Sequence, residues 1–188
     1  MAYDAAMDLA WKELLNSKPA NGLAVRFLSD QYAVDLEARK ITSLPGNIPV
    51  KDFTAILILH YLVSKLKGLP RLTGEWVSFK ELSKVEGYAS AFRKRAIEPI
   101  IKKYGTNPQS LLAVLERLPA KKTNYADLGV IVEVFEGVPL LVTLWHGDEE
   151  FGPEANILFD QSISLLPDFP PLNNSTLGIR IATKCFEH

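Results

Sequence analysis

The chain has 188 residues, 47% of them hydrophobic and 23% charged, with 21 basic side chains against 22 acidic ones and a formal net charge of −1. That balance, with a pI of about 6.3, excludes a protein held to nucleic acid or to a membrane surface by bulk positive charge. A single cysteine, Cys185, excludes an internal disulfide framework and an all-cysteine zinc or iron–sulfur site within one chain.

The length predicts one domain over residues 1–188, burying roughly 70% of the surface its unfolded chain exposes. The longest apolar stretch, inside 53–63, falls short of the ~20 residues that a membrane span needs. Acids precede the first apolar run where a secretory leader carries bases, so a cytoplasmic location is expected.

In chain order, Ala6, Leu9, Ala10, Trp11 and Leu14 recur every three or four residues and predict an amphipathic helix over 2–16. Pro19 to Gly22 breaks it. Alternation over 23–29 and 32–37 predicts a strand pair, and Phe53 to Val63, apolar nearly all round, predicts a helix over 50–67 buried on most sides. Residues 76–82 read as a short strand or a turn that delivers Trp76 and Phe79 onto a neighbour. Phe92, Ala96, Ile97, Ile100, Ile101 and Tyr104 share one face of a helix over 89–104, and Pro99 inside that pattern means a kink or a second helix opening with proline. Asn107-Pro108 reads as an N-cap and first helical residue. From Val130 the period changes to two: a hairpin turning at Glu136-Gly137 and returning through Val138 to Trp145, then a third strand near 156–160 and a helix over 175–185. Strands first, helices in the middle and strands last predict an α+β fold with a mostly antiparallel sheet, or sheets, from the two strand groups.

Charge is segregated. Between Thr123 and Ile179 there are nine acids and no base, whereas Lys84 to Lys122 carries nine bases against three acids. Either the two blocks neutralise one another across a shared surface, or they form separate patches for partners of opposite charge.

The densest polar run is 145–160, where Gly147, Gly152 and Pro153 bend the chain directly after a strand. Its carboxylates, Asp148, Glu149, Glu150, Glu154 and Asp160, are ligand types that a hard cation takes. Their spacing does not match a calcium loop, and three consecutive carboxylates in an extended stretch cannot all point inward, so a solvated acidic turn is expected and no metal site is assigned. His146, beside these acids, is the candidate acid–base group. Arg93 and Arg95 lie about 200° apart on a helix, so one faces away from whatever the other touches. A guanidinium turned toward the acidic loop would pair with it in bidentate fashion, and a phosphate-bearing ligand would use the same fork. No glycine-rich phosphate cradle and no nucleophile elbow occurs. His60 reads as an interior residue of its helix, Cys185 as an ordinary thiol, and the aromatics Trp76, Phe79, Trp145, Phe151 and Phe159 as core more than as a ligand shelf.

Four strings carry a resemblance: His60-Tyr-Leu62, Leu72-Thr-Gly-Glu-Trp-Val-Ser-Phe-Lys-Glu-Leu82, Ala91-Phe-Arg-Lys-Arg-Ala-Ile-Glu-Pro99 and Trp145 to Asp160. Together they resemble the family catalogued as domain of unknown function 3786, departing from its usual string at Gly152, where proline is expected, and in the polar tail around 173–176. The resemblance implies a habitat among anaerobic bacteria and archaea and, because some members are fused to a cysteine-rich segment, an association with iron–sulfur chemistry that this chain meets only through a partner. It implies no catalytic residues.

The expectation is a binding or accessory module in which Trp76, Arg93, Arg95, Trp145, Asp148, Glu149, Glu150, Glu154 and Asp160 border one cleft. That cleft takes an anionic cofactor, or a redox, corrinoid or iron–sulfur protein partner. The alternative is a metal-assisted hydrolase using the loop 146–160, with His146 as acid–base. A third expectation is that the arginines and acids form a buried ion-pair network that only fixes the fold.

Overall fold

A computed structural model describes residues 4–82, 87–165 and 183. The helix expected over 175–185, with Cys185, lies outside the described residues apart from Thr183. Helix α1 (Asp4–Asn16) buries Ala10, Trp11 and Leu14 against α2 (Asp52–Lys67). The latter is buried on most sides, as its apolar run predicts, from Thr54 through Ser64. Between them a four-stranded antiparallel sheet runs in the order β1 (Leu23–Phe27), β2 (Asp30–Asp35), β3 (Lys40–Ser43), β4 (Ile48–Pro49). Val25, Phe27, Tyr32, Val34 and Ile41 point inward from alternate positions, the period-two signature of a half-buried sheet.

The second sheet has five antiparallel strands in the order β5 (Trp76–Ser78), β9 (Glu154–Asp160), β8 (Val138–Trp145), β7 (Leu128–Phe135), β6 (Ala120–Thr123). The β7–β8 hairpin turns at Glu136-Gly137, where Gly137 has φ +77, a backbone state that glycine takes without steric cost. The two strand groups thus form two sheets, joined at one irregularity. Glu133 pairs with Pro139 and Phe135 with Val138, so Val134 is an extra residue in β7, and its carbonyl accepts the Leu28 N–H at 2.8 Å. Arg26 fastens the same junction, donating to the Glu133 carbonyl at 3.1 Å and to its carboxylate. Beneath it, Tyr61 stacks on Phe135 with ring centres 4.2 Å apart, and Phe27 stacks on Phe135 at 4.7 Å.

The helical middle is one continuous rod of three parts: α3 (Ala89–Phe92), a π-helical stretch over Arg93–Ile97, and α4 (Glu98–Tyr104). Pro99 explains the change of winding. It has no N–H to return to the preceding turn, and its ring crowds the carbonyl four residues back; widening the turn relieves the clash, with the Glu98 N–H bonding the Arg93 carbonyl five residues earlier. Both sequence options, a kink and a new helix near proline, describe part of this. Helix α5 (Pro108–Leu115) follows, with Asn107 at the N-cap position, but the Asn107 side chain makes no cap bond. Its carbonyl instead accepts the Ser110 hydroxyl at 2.6 Å. Residues 76–82 are both a strand and a turn: β5 leads into a 3₁₀ turn whose Phe79 stacks on Phe92 at 4.4 Å, with Phe159 at 6.1 Å from each ring. Among the described residues, no helix is long and apolar enough to cross a membrane.

Candidate functional site

Strand β9 organises the site. Its first residue, Glu154, and its last, Asp160, are six positions apart, about 20 Å in a strand. At the first end the polar run 146–153 leaves β8 and returns. Asp148 closes it: its Oδ1 accepts the N–H groups of Glu150 at 2.9 Å and Phe151 at 2.7 Å, while its own N–H bonds the Phe151 carbonyl at 2.8 Å. These backbone donors hold the Asp148 carboxyl below its ordinary pKa. A carboxylate whose Oδ1 is committed in this way to its own loop makes an Asx turn.

The run is fastened at three points. At its entry, Asp127 Oδ2 accepts the His146 N–H at 2.8 Å and lies 3.2 Å from His146 Nδ1, and these bonds lower the Asp127 pKa. At its exit, Pro153 lies over Gly105 at the C-terminal end of α4, so close that a Cβ on Gly105 would meet the proline ring at 2.6 Å. One residue on, Glu154 pairs with Arg93 in the bidentate geometry expected of guanidinium and carboxylate, at 3.0 and 3.5 Å, and the pairing raises the Arg93 pKa.

Arg93 and Glu154 are both close to half exposed, so the contact is a surface ion pair and not the buried network the third expectation required. Neither arginine is buried. The π stretch keeps Ala96 and Ile97 inward and leaves Arg93, Lys94 and Arg95 all at the surface, with Arg95 making no ion pair among the described residues.

The other end of β9 is built differently. Asp160 is buried, and its carboxylate accepts four hydrogen bonds: from Thr73 N–H at 3.1 Å, Thr73 Oγ1 at 3.0 Å, Gly74 N–H at 2.8 Å and Ser162 N–H at 3.0 Å. Burial pushes its pKa up, and the hydrogen bonds from Ser162, Thr73 and Gly74 outweigh that, leaving it below the ordinary value. Asp160 thereby shapes the 73–75 loop that delivers Trp76, its cross-strand partner, into β5. Trp76 is therefore on the neighbouring strand but at the far end of β9 from Arg93 and Glu154. Trp145 caps β8 opposite Glu154 and is 37% exposed.

Among the described residues the acidic block pairs mostly outside the basic block: Glu133 with Arg26, Glu136 with Lys65, Asp127 with His146, and only Glu154 with Arg93. No ion pair joins Asp148, Glu149 or Glu150 to a base among the described residues, and no three of His, Cys, Asp and Glu stand close enough there to hold a metal ion. On the basic side, a hollow of about 590 Å³ lies along the rod, lined by Lys94, Glu98, Pro99, Lys102 and Lys103. Lys103 sits 5.1 Å over the Tyr104 ring. Lys94, Arg95 and Lys102 are exposed and make no ion pair among the described residues. A second hollow, about 560 Å³, lies on the outer face of the N-terminal sheet around Ala24, Ala33 and Thr42. Neither hollow reaches Trp76. The one over Pro99 escaped notice in the sequence because its bases sit off the apolar face and read as the solvated side of a helix; the signal available was Pro99 amid five bases, Arg93, Lys94, Arg95, Lys102 and Lys103.

Three of the four strings that carried the resemblance meet in space, since 72–82 and 91–99 both pack on β9, which belongs to the fourth; Tyr61 of the first anchors the β7–β8 turn by donating to the Glu136 carbonyl at 2.9 Å. No curated protein and no solved structure matches the chain. A family model matches residues 9–174, most of the chain, and the chain belongs to the family described as domain of unknown function (DUF3786).

Proposed function

We propose that the chain is a binding or accessory module that docks an acidic protein partner on the outer face of the 89–104 rod. The observation that carries this reading is the electropositive hollow over Pro99, lined by Lys94, Lys102 and Lys103 with Glu98 as the one acid in its lining; Lys94 and Lys102, like the neighbouring Arg95, are exposed and make no ion pair among the described residues. Positive side chains left unpaired in a chain of near-zero net charge steer association with an acidic surface and set its register. The family's association with cysteine-rich segments favours a redox, corrinoid or iron–sulfur protein as that partner.

The test uses fluorescein-labelled polyglutamate as the probe, with polyglutamine as the neutral control and pyrophosphate as a small-anion arm, read by fluorescence anisotropy. Polyglutamate binds at low salt, releases as salt screens the contact, and binds more weakly to Lys94→Glu/Lys102→Glu. Binding that the double substitution leaves unchanged, or no binding at low salt, overturns the reading. Displacement by equimolar pyrophosphate would move the ligand class to a small anion.

A further inference from the structure

Phe151 is 70% exposed, the most exposed of the large hydrophobic side chains described. The loop that holds it is not slack: the Asp148 carboxylate and N–H bind both sides of its peptide and present the ring outward between Glu150 and the Pro153 corner. An aromatic side chain fixed in water on a closed loop is an anchor without a pocket. On the same chain, the hollow over Pro99 is open to solvent, its walls the aliphatic stems of lysines and a proline ring, its rim positive. The charges match in the same sense, since Glu149 and Glu150 flank the anchor and Lys94, Lys102 and Lys103, against the one acid Glu98, line the pocket. Within one chain the two do not meet, because Pro153 on Gly105 and Glu154 on Arg93 fix the base of the loop at the end of the rod and leave its tip in solvent.

From this juxtaposition we infer that the chain self-associates as a two-fold dimer in which the 147–153 loop of each copy seats on the partner's rod, with Phe151 entering the hollow over Pro99. The loop is fastened to the rod at Gly105 and Arg93, so anchor and pocket belong to adjoining elements, and a two-fold axis that seats one loop on the partner's rod seats the other in the same way, an isologous and closed arrangement. The closed loop arrives already ordered, which lowers the entropic cost of docking. The inference rests on the proposed role of the rod as a docking face and names a second copy of the chain as an occupant of it.

Sedimentation of the full chain at low salt, over a range of concentrations, is the test. A monomer–dimer equilibrium is expected that shifts to monomer in molar salt. Phe151→Ala, a surface substitution, weakens it by roughly tenfold or more, because two aromatic rings leave the contact. Lys94→Glu/Lys102→Glu and Glu149→Lys/Glu150→Lys are each monomeric alone and form a dimer when mixed, because both contacts then regain opposite charges. A wild-type chain that stays monomeric at low salt, or charge variants that remain monomeric when mixed, overturns the inference. If that monomer still binds polyglutamate through Lys94 and Lys102, the docking role of the rod stands; if it does not, both fall.

Discussion

Replacing Asp160 by asparagine probes the joint between the 73–75 loop and β9 with little change of volume. Aspartate supplies two acceptor oxygens to four donors, three of them on Oδ1 (Thr73 N–H, Thr73 Oγ1 and Ser162 N–H) and one on Oδ2 (Gly74 N–H). Asparagine keeps one oxygen. Its better orientation retains the three and sets an N–H₂ against the Gly74 N–H, so one donor in a buried setting loses its acceptor, at about 1–3 kcal/mol, and the other three lose their charge assistance. A loss of about 2 kcal/mol follows, which for a chain of this size lowers Tm by roughly 4–8 °C. Asp160→Ala strands all four donors and costs more.

The pH dependence has a definite sign. The folded pKa of Asp160 is lowered, so its contribution is fully present above the unfolded value of about 3.9 and is lost as pH falls through the folded pKa below that. Asparagine does not titrate there. Thermal melts of the two proteins should therefore differ by a constant amount down to about pH 4 and converge only below it. Equal melting temperatures at neutral pH, or a gap that persists unchanged well below pH 4, would refute the buried, four-donor environment.

Further outcomes follow from the same geometry. Arg93→Ala removes an exposed ion pair and should cost less than about 1 kcal/mol in urea titration, while freeing the 147–153 loop to faster hydrogen exchange. A cost of several kcal/mol would restore the buried network. Gly105→Ala places a Cβ 2.6 Å from both the Ile101 carbonyl oxygen and the Pro153 ring and should destabilise the chain by about 1–3 kcal/mol in thermal melts; a neutral melt would contradict both close approaches at the end of the rod.

The sequence was most legible where local period and burial coincide. β7, β8 and β9 alternate or run apolar over seven or eight residues, and α2 announces itself by being apolar all round. The strands that escaped, β3, β4 and β6, have two to four residues each and include Lys40, Lys121 and Lys122, the residues that edge or short strands tolerate and that blur any pattern. Pro99 told of an interruption but not that the rod would widen instead of break. Within the site, the chemistry of guanidinium and carboxylate was enough to pair the Arg93 helix with the acidic run. That Glu154 is the partner is a contact over 61 residues, which no local signal encodes. Asp148 and Asp160 looked like available ligands because composition counts carboxylates without asking which backbone N–H groups already hold them. Trp76 and Arg93 both flank β9, and only its length, set by the 3D register, separates them.

The central claim is that the rod's basic face is where an acidic partner docks. Two-dimensional ¹⁵N–¹H spectra of the labelled chain, recorded while hexaglutamate is added at low salt, test it residue by residue. Shifts are expected at the amides from Arg93 to Gly105 and in the adjoining 147–153 loop, and nowhere else. Shifts centred instead on Trp76 or on the outer face of β1 to β3, or none at saturating peptide, would contradict it.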